Sequence, residues 1–140
     1  MPRTKHPETA PEIADEVQRQ IDQWLEAMRW QRVANRALCF LSLTHTQFLV
    51  LLGAARALAG RKAAVSVADI ADAAALDAST TSILITKLAA TGHLDKDLDG
   101  LDARQVSVLV TREGYACLHR AAALLAAAAA ELDELEPPLR

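Results

Sequence analysis

Twice in the middle of the chain the same helix-start grammar appears, and the short spacing that follows leaves room only for compact, tightly connected helices. In the run Leu43-Thr44-His45-Thr46-Gln47-Phe48, Thr44 has the side chain to cap a helix and Gln47 stands where it can reach back to complete a capping box. Leu43 is placed to staple onto Phe48. The pattern returns at Ser66, with Asp69 in the box position and Val65 and Ile70 as the apolar pair. The first start opens a helix whose buried stripe is Leu51, Leu52, Ala55 and Leu58, closed by Gly60 with Arg61 and Lys62. The second opens a short helix to about Ala74.

After Leu76 the chain turns at once into another helix, which Asp77 can cap. Its inner face is Leu84, Ile85 and Leu88, and Gly92 marks its end. The opposite face carries Ala78, Ser79, Ser82, Ile83, Thr86 and Lys87, a small, hydrogen-bonding surface broken by one isoleucine. His93 to Lys96 then reads as a short strand, DLDGLDA as a turn, and Val106, Val108 and Val110 as the alternating positions of a second strand. Two helices joined by a tight turn and followed directly by a hairpin are the layout of a winged helix-turn-helix, whose second helix enters the major groove of DNA.

Long helices flank this unit. From Ile13, the residues Val17, Ile21, Trp24, Leu25 and Met28 recur at helical spacing, and Val33, Ala37 and Leu38 prolong the pattern. At the other end Thr111 can cap a helix in which Leu118, Ala121, Leu125, Ala128, Leu132 and Leu135 fall on a and d positions, with Pro137 and Pro138 as the stop. The expected fold class is mainly α with a small β-hairpin wing: a winged helix-turn-helix over 44–111 between long N- and C-terminal dimerisation helices, 12–40 and 114–135. Residues 1–10, polar and containing Pro2 and Pro7, are expected to be a disordered arm, and 11–140 a single domain. A chain of 140 residues suits one domain with a sizeable core.

Composition removes several function classes. No apolar run approaches a membrane span, and the first residues lack the apolar core of a signal peptide, so a cytoplasmic location and no membrane partner are expected. Cys39 and Cys117 are too few for a disulfide framework and lack metal-ligand spacing. They read as reduced thiols, with Cys39, between Leu38 and Phe40, expected to be an inert small hydrophobe. His6, His45, His93 and His119 are isolated along the chain, and His45 is expected to be an exposed polar residue. No phosphate-cradling glycine loop, nucleophile elbow or paired metal ligands are present, so no catalytic residue, metal or cofactor is assigned and the chain is not expected to be an enzyme.

The segments LTHTQFLVLLGAARAL, VSVADIADAAALDASTTSILITKLAATGHLDK and DARQVSVLVTREG, taken in this order and spacing, resemble the second helix, the helix-turn-helix and the wing of the bacterial MarR-family regulators. The resemblance covers roughly residues 40 to 118. It implies a homodimer held by the first and last helices, a double-stranded operator of inverted-repeat type, and repression relieved by a small ligand or oxidant. It places Ala78, Ser79, Thr80, Ser82, Ile83 and Lys87 on the recognition helix, and matches Asp102 and Arg104 to the D-x-R of the wing, where the arginine would reach the minor groove or its phosphates. It also puts Trp24 and Trp30 on a helix that lines the family's effector cleft; a pocket for a small aromatic effector and plain packing are both open readings of that pair.

This chain departs from the family pattern in its charge. Ala103 stands where the family often has a second wing arginine, Ala78 and Ile83 where it often has recognition-helix arginines, and Asp95, Asp97 and Asp99 make the hairpin acidic. With a net charge of -3, phosphate attraction is weaker than usual. The alternative to a sequence-specific regulator is therefore a winged-helix protein-interaction module, an anti-repressor or partner subunit, with weak or lost DNA binding.

Overall fold

The computed structural model describes residues 8–59, 64–98 and 106–135. The elements are α1 (Asp15–Leu38), a 3-10 turn (Cys39–Leu41), α2 (His45–Leu58), α3 (Val67–Ala74), α4 (Ala78–Ala90), strands β1 (Leu94–Leu98) and β2 (Val106–Val110), and α5 (Arg112–Leu135). The first strand starts one residue later than the sequence suggests because His93 is spent on the preceding turn, its N–H donating to the Leu88 carbonyl at 2.9 Å. The arm expected over 1–10 lies mostly outside the described residues, as do Gly60, Arg61 and Lys62.

The chain divides into two compact units, Met1–Arg32 and Val33–Arg140. In the first, α1 exposes Val17, Trp24, Leu25 and Met28, and Gln18 Nε2 donates to Asp22 Oδ1 one turn away at 2.9 Å. The second unit holds the core, built from Leu38, Leu43, Val50, Leu51, Ala54, Val65, Ile70, Leu84, Ile85, Leu88, Leu94, Val108, Cys117 and Ala121.

Local chemistry fixes the helix boundaries in that unit. Both capping boxes form: Thr44 Oγ1 accepts from the Gln47 N–H at 3.2 Å while Gln47 Oε1 accepts from the Thr44 N–H at 2.9 Å, and Ser66 and Asp69 exchange the same pair at 3.2 Å each. Three turns close by one mechanism. Ser42, Ala75 and Gly92 take left-handed conformations, with φ of 54°, 54° and 82°, and the following amide in each case bonds back five residues: Leu43 to Leu38, Leu76 to Ala71, and His93 to Leu88. The middle one is the tight turn between α3 and α4, closed by an alanine rather than a glycine.

The hairpin is antiparallel with Leu94 opposite Val110, Asp95 opposite Leu109, Lys96 opposite Val108 and Asp97 opposite Ser107. Val65 adds a bridge on the other edge of β2, its N–H donating to the Val108 carbonyl at 3.1 Å and its carbonyl accepting from the Val108 N–H at 2.9 Å. This bridge, which no alternation in the sequence announces, ties the start of α3 to the wing through two buried valines.

Helix α5 departs from its heptad reading. Ala121 is fully buried, and Leu118 and Leu125 pack against the core of their own chain, so the inner side of the helix as far as Leu125 is covered by the winged domain. The second half, with Leu124, Ala127, Ala128, Glu131 and Leu132, faces Val33, Arg36, Ala37 and Phe40 across an open groove of about 330 Å³. Among the described residues no single helix is long and apolar enough to cross a membrane.

Candidate nucleic-acid interface

Helix α4 sits on the core through Leu84, Ile85, Leu88 and the fully buried Thr81, whose hydroxyl is satisfied by donating to the Asp77 carbonyl at 2.8 Å. That seating turns the remaining positions outward. Ala78, Ser79, Ser82, Ile83, Thr86 and Lys87 are all exposed and Thr80 is half-buried, so the site positions assigned to the helix share its solvent side. Ile83 is 59% exposed, a large apolar side chain without a partner surface in the monomer.

The N-terminus of α4 holds a group that the resemblance did not single out as a site residue. Asp77 accepts from the Thr80 N–H at 2.7 Å, from Ser79 Oγ at 2.8 Å and from Thr80 Oγ1 at 2.9 Å. The backbone bond from Thr80, then the two hydroxyls, hold this carboxyl below the ordinary aspartate range. Each hydroxyl has one proton to give, and Ser79 and Thr80 give theirs to Asp77. They present lone pairs outward rather than donors, and an anion sits beside them. Ser82 differs: among the described residues its hydroxyl has no hydrogen-bond partner, while its carbonyl accepts from Thr86 Oγ1 at 3.1 Å. It is the α4 hydroxyl that, among the described residues, is left with its proton to give.

The wing contributes Lys96, a residue that the resemblance does not mark. Its Nζ donates to Thr86 Oγ1 at 3.1 Å, joining β1 to α4. Asp102 and Arg104, together with Asp99 and Ala103, lie outside the described residues.

The wing is held to the end of α4 by a cluster around Gly92. Thr111 Oγ1 donates to the Gly92 carbonyl at 2.6 Å and accepts from the Gly114 N–H at 3.0 Å, and the Thr111 N–H donates to the His93 carbonyl at 3.2 Å. The cap expected of Thr111 is thus also the joint between α5 and the end of α4.

Other expectations change. Cys39 is exposed on the 3-10 turn, and it is Cys117, on the inner face of α5, that is buried; burial pushes the Cys117 thiol up, with Arg120 opposing. His45 is half-buried, because the Asn35 side-chain oxygen accepts from its N–H at 2.8 Å and lies 3.0 Å from its Nδ1. Trp24 is 67% exposed and Trp30 half-buried. Six residues apart on one helix, they stand about 120° from each other around its axis, so they do not form a shared aromatic face within one chain. No cluster of metal-ligating side chains occurs among the described residues.

Neither a protein-family model nor a curated protein matches the sequence. The fold does match solved structures. A MarR-family transcriptional regulator from a Rhodococcus species superposes with a TM-score of 0.74 at 22% identity, over 90% of this chain and 86% of that one. BpsR of Bordetella bronchiseptica, whose DNA binding is regulated by 6-hydroxynicotinic acid, gives 0.68 at 24% identity over 86% and 87%. A cysteine-to-serine variant of MarR from E. coli complexed with operator DNA gives 0.68 at 21% identity over 86% and 81%. The chain is a winged helix-turn-helix protein with the fold of the MarR-family transcriptional regulators.

Proposed function

We propose that this protein is a dimeric, sequence-specific DNA-binding regulator that represses its target genes until a small ligand alters the dimer. The observation that carries the reading is the outward face of α4, where Ser82, Ile83 and Lys87 stand exposed on a helix seated by its other side. In a major groove the Ser82 hydroxyl can serve a base edge or a phosphate, Ile83 can pack on a thymine methyl, and Lys87 can neutralise a phosphate. Asp102 and Arg104, matched by sequence to the D-x-R of the wing, are assigned to the flanking backbone or minor groove.

A homodimer would use the segments 12–40 and 114–135, and the groove lined by Phe40 and Leu132 is the surface we assign to the second copy. Phe40 is 83% exposed in the monomer, an unfavourable state for so large an apolar side chain. A two-fold dimer implies an inverted-repeat operator with half-site centres roughly 34 to 36 Å apart. The effector is proposed to be a small aromatic compound or its acyl conjugate, by analogy with BpsR and with CouR of Rhodococcus jostii, solved with p-coumaroyl-CoA.

One observation favours a second reading, a protein-interaction module with weak DNA binding: the exposed Asp77 carboxylate at the start of the recognition helix opposes phosphate. Anisotropy titration against the DNA upstream of its own gene decides between them. Operator binding well above that to a random duplex supports the regulator. A folded dimer that binds neither DNA near about 50 mM salt, where phosphate attraction is strong, supports the interaction module.

A further inference from the structure

Strand β1 carries its charges on two different sides. Directly opposed residues of an antiparallel pair share a face, so Lys96 stands with Val108, while Asp95 stands with Leu109 and Asp97 with Ser107. Val108 and Leu94 are buried in the same cluster as Leu84, Ile85 and Leu88 of α4. The face of Lys96 is therefore the α4 face, and the two aspartates occupy the other one.

From that face Lys96 reaches the outward side of the helix. Thr86 Oγ1 gives its proton to the Ser82 carbonyl at 3.1 Å, which leaves its lone pairs to accept from Lys96 Nζ at 3.1 Å. An ammonium has three donors, and one is used here. Among the described residues no carboxylate pairs with Lys96. Its charge is thus parked beside Ser82 and Thr86, with two N–H groups that have no partner among the described residues, while Asp95 and Asp97 project from the opposite face of the strand.

We propose that Lys96 is a phosphate-binding residue of the DNA interface, held by Thr86 so that hairpin and recognition helix grip one duplex backbone through a single cation. The inference rests on the DNA-binding reading and names a contact within it. It also bears on how an acidic hairpin can serve such an interface: a cation in contact with a phosphate acts at a shorter distance, and so more strongly, than carboxylates held on the other face of the strand.

The test is a titration of the full chain with a random-sequence duplex of about three helical turns, repeated over a salt series, because a phosphate contact acts on any sequence. Wild type, Lys96→Gln, Thr86→Val, Thr86→Ser and Asp95→Asn are compared. Lys96→Gln is expected to weaken binding and to flatten the log-log salt slope by about 0.9 for each phosphate that is no longer neutralised, with an unchanged melting temperature. Thr86→Val should weaken binding by releasing the lysine, and Thr86→Ser, which keeps the acceptor, should restore it. Asp95→Asn should leave the slope as it is. A wild type that binds while Lys96→Gln keeps its slope, or a slope that shifts as much in Asp95→Asn as in Lys96→Gln, overturns the assignment of Lys96 alone. A wild type that binds no duplex near about 50 mM salt overturns the DNA-binding reading and this contact with it.

Discussion

Gly114 and His93 meet through their backbones: a Cβ on Gly114 would fall inside the contact radius of the His93 carbonyl oxygen and within 2.8 Å of Val110 Cγ1. Two elements separated by the whole hairpin are pressed together there. The first turn of α5 lies directly on the link between α4 and β1, and Thr111 bolts the two with its bond to the Gly92 carbonyl.

Gly114→Ala should therefore force the α5 start away from the wing. Overpacking against backbone, which cannot rotate aside, is expected to cost about 1–3 kcal/mol. Thr111→Val, which keeps the shape and removes the hydroxyl, should cost about 1 kcal/mol for the missing hydrogen bonds. Urea denaturation checks both, and equal stability of Gly114→Ala and wild type would mean that the close approach does not persist in solution.

Ala75 offers the opposite prediction. It closes the turn between α3 and α4 with a φ of 54°, where a Cβ crowds the following carbonyl. Ala75→Gly relieves that strain and gives back part of the gain as extra freedom of the unfolded chain, so a net stabilisation of up to about 1 kcal/mol is expected. A rise in melting temperature with unchanged DNA affinity is the anticipated result. A fall would show that the alanine methyl group is needed for packing.

Asp77 makes stability depend on acid. Its carboxyl is held below its ordinary range in the folded protein by the Thr80 amide and the Ser79 and Thr80 hydroxyls. A depressed carboxyl contributes stability that is complete above its unfolded value and is lost as pH falls through the folded one. Asp77→Asn can still accept at the cap but cannot titrate. The wild-type melting temperature should fall more steeply below about pH 4 than that of Asp77→Asn. On the proposed DNA-binding reading, the same variant should bind DNA more tightly at low salt and lose that gain as salt is raised, because it removes an anion from the face assigned to the phosphates.

Features written in neighbouring residues were legible in the sequence. The caps at Thr44, Ser66, Asp77 and Thr111 depend on side chains within three residues of each helix start, and all four form. The outward face of α4 follows from its 3.6-residue period. Features that depend on register or on distant segments were not legible. Counting Asp95 and Asp97 as wing charge overlooked that pairing with Leu109 and Ser107 turns them away from Lys96. The acceptor that Asn35 offers to His45 comes from another helix. The apolar neighbours of Cys39 in sequence say nothing of its exposure, because a 3-10 turn points successive residues in different directions.

The groove between the end of α1 and the second half of α5 leads to the last prediction. Phe40 stands at 83% exposure beside Leu132 and Leu124, with Arg36 and Glu131 as the charged groups of the lining. An apolar rim with sparse charge suits a self-complementary contact, and in a two-fold dimer each Phe40 would be covered once by the partner. Burying a phenylalanine stabilises by about 2 kcal/mol. Two of them therefore account for about 4 kcal/mol, or roughly a thousandfold in the dimer dissociation constant. Phe40→Glu should remove that contribution and place two carboxylates where the rings met, leaving a folded monomer at micromolar concentration. DNA affinity should then fall too, because each half-site would be bound without its twin. Analytical ultracentrifugation of wild type and variant decides the matter: a wild type that is already monomeric removes the assigned interface, and a Phe40→Glu protein that stays dimeric moves it elsewhere on the chain.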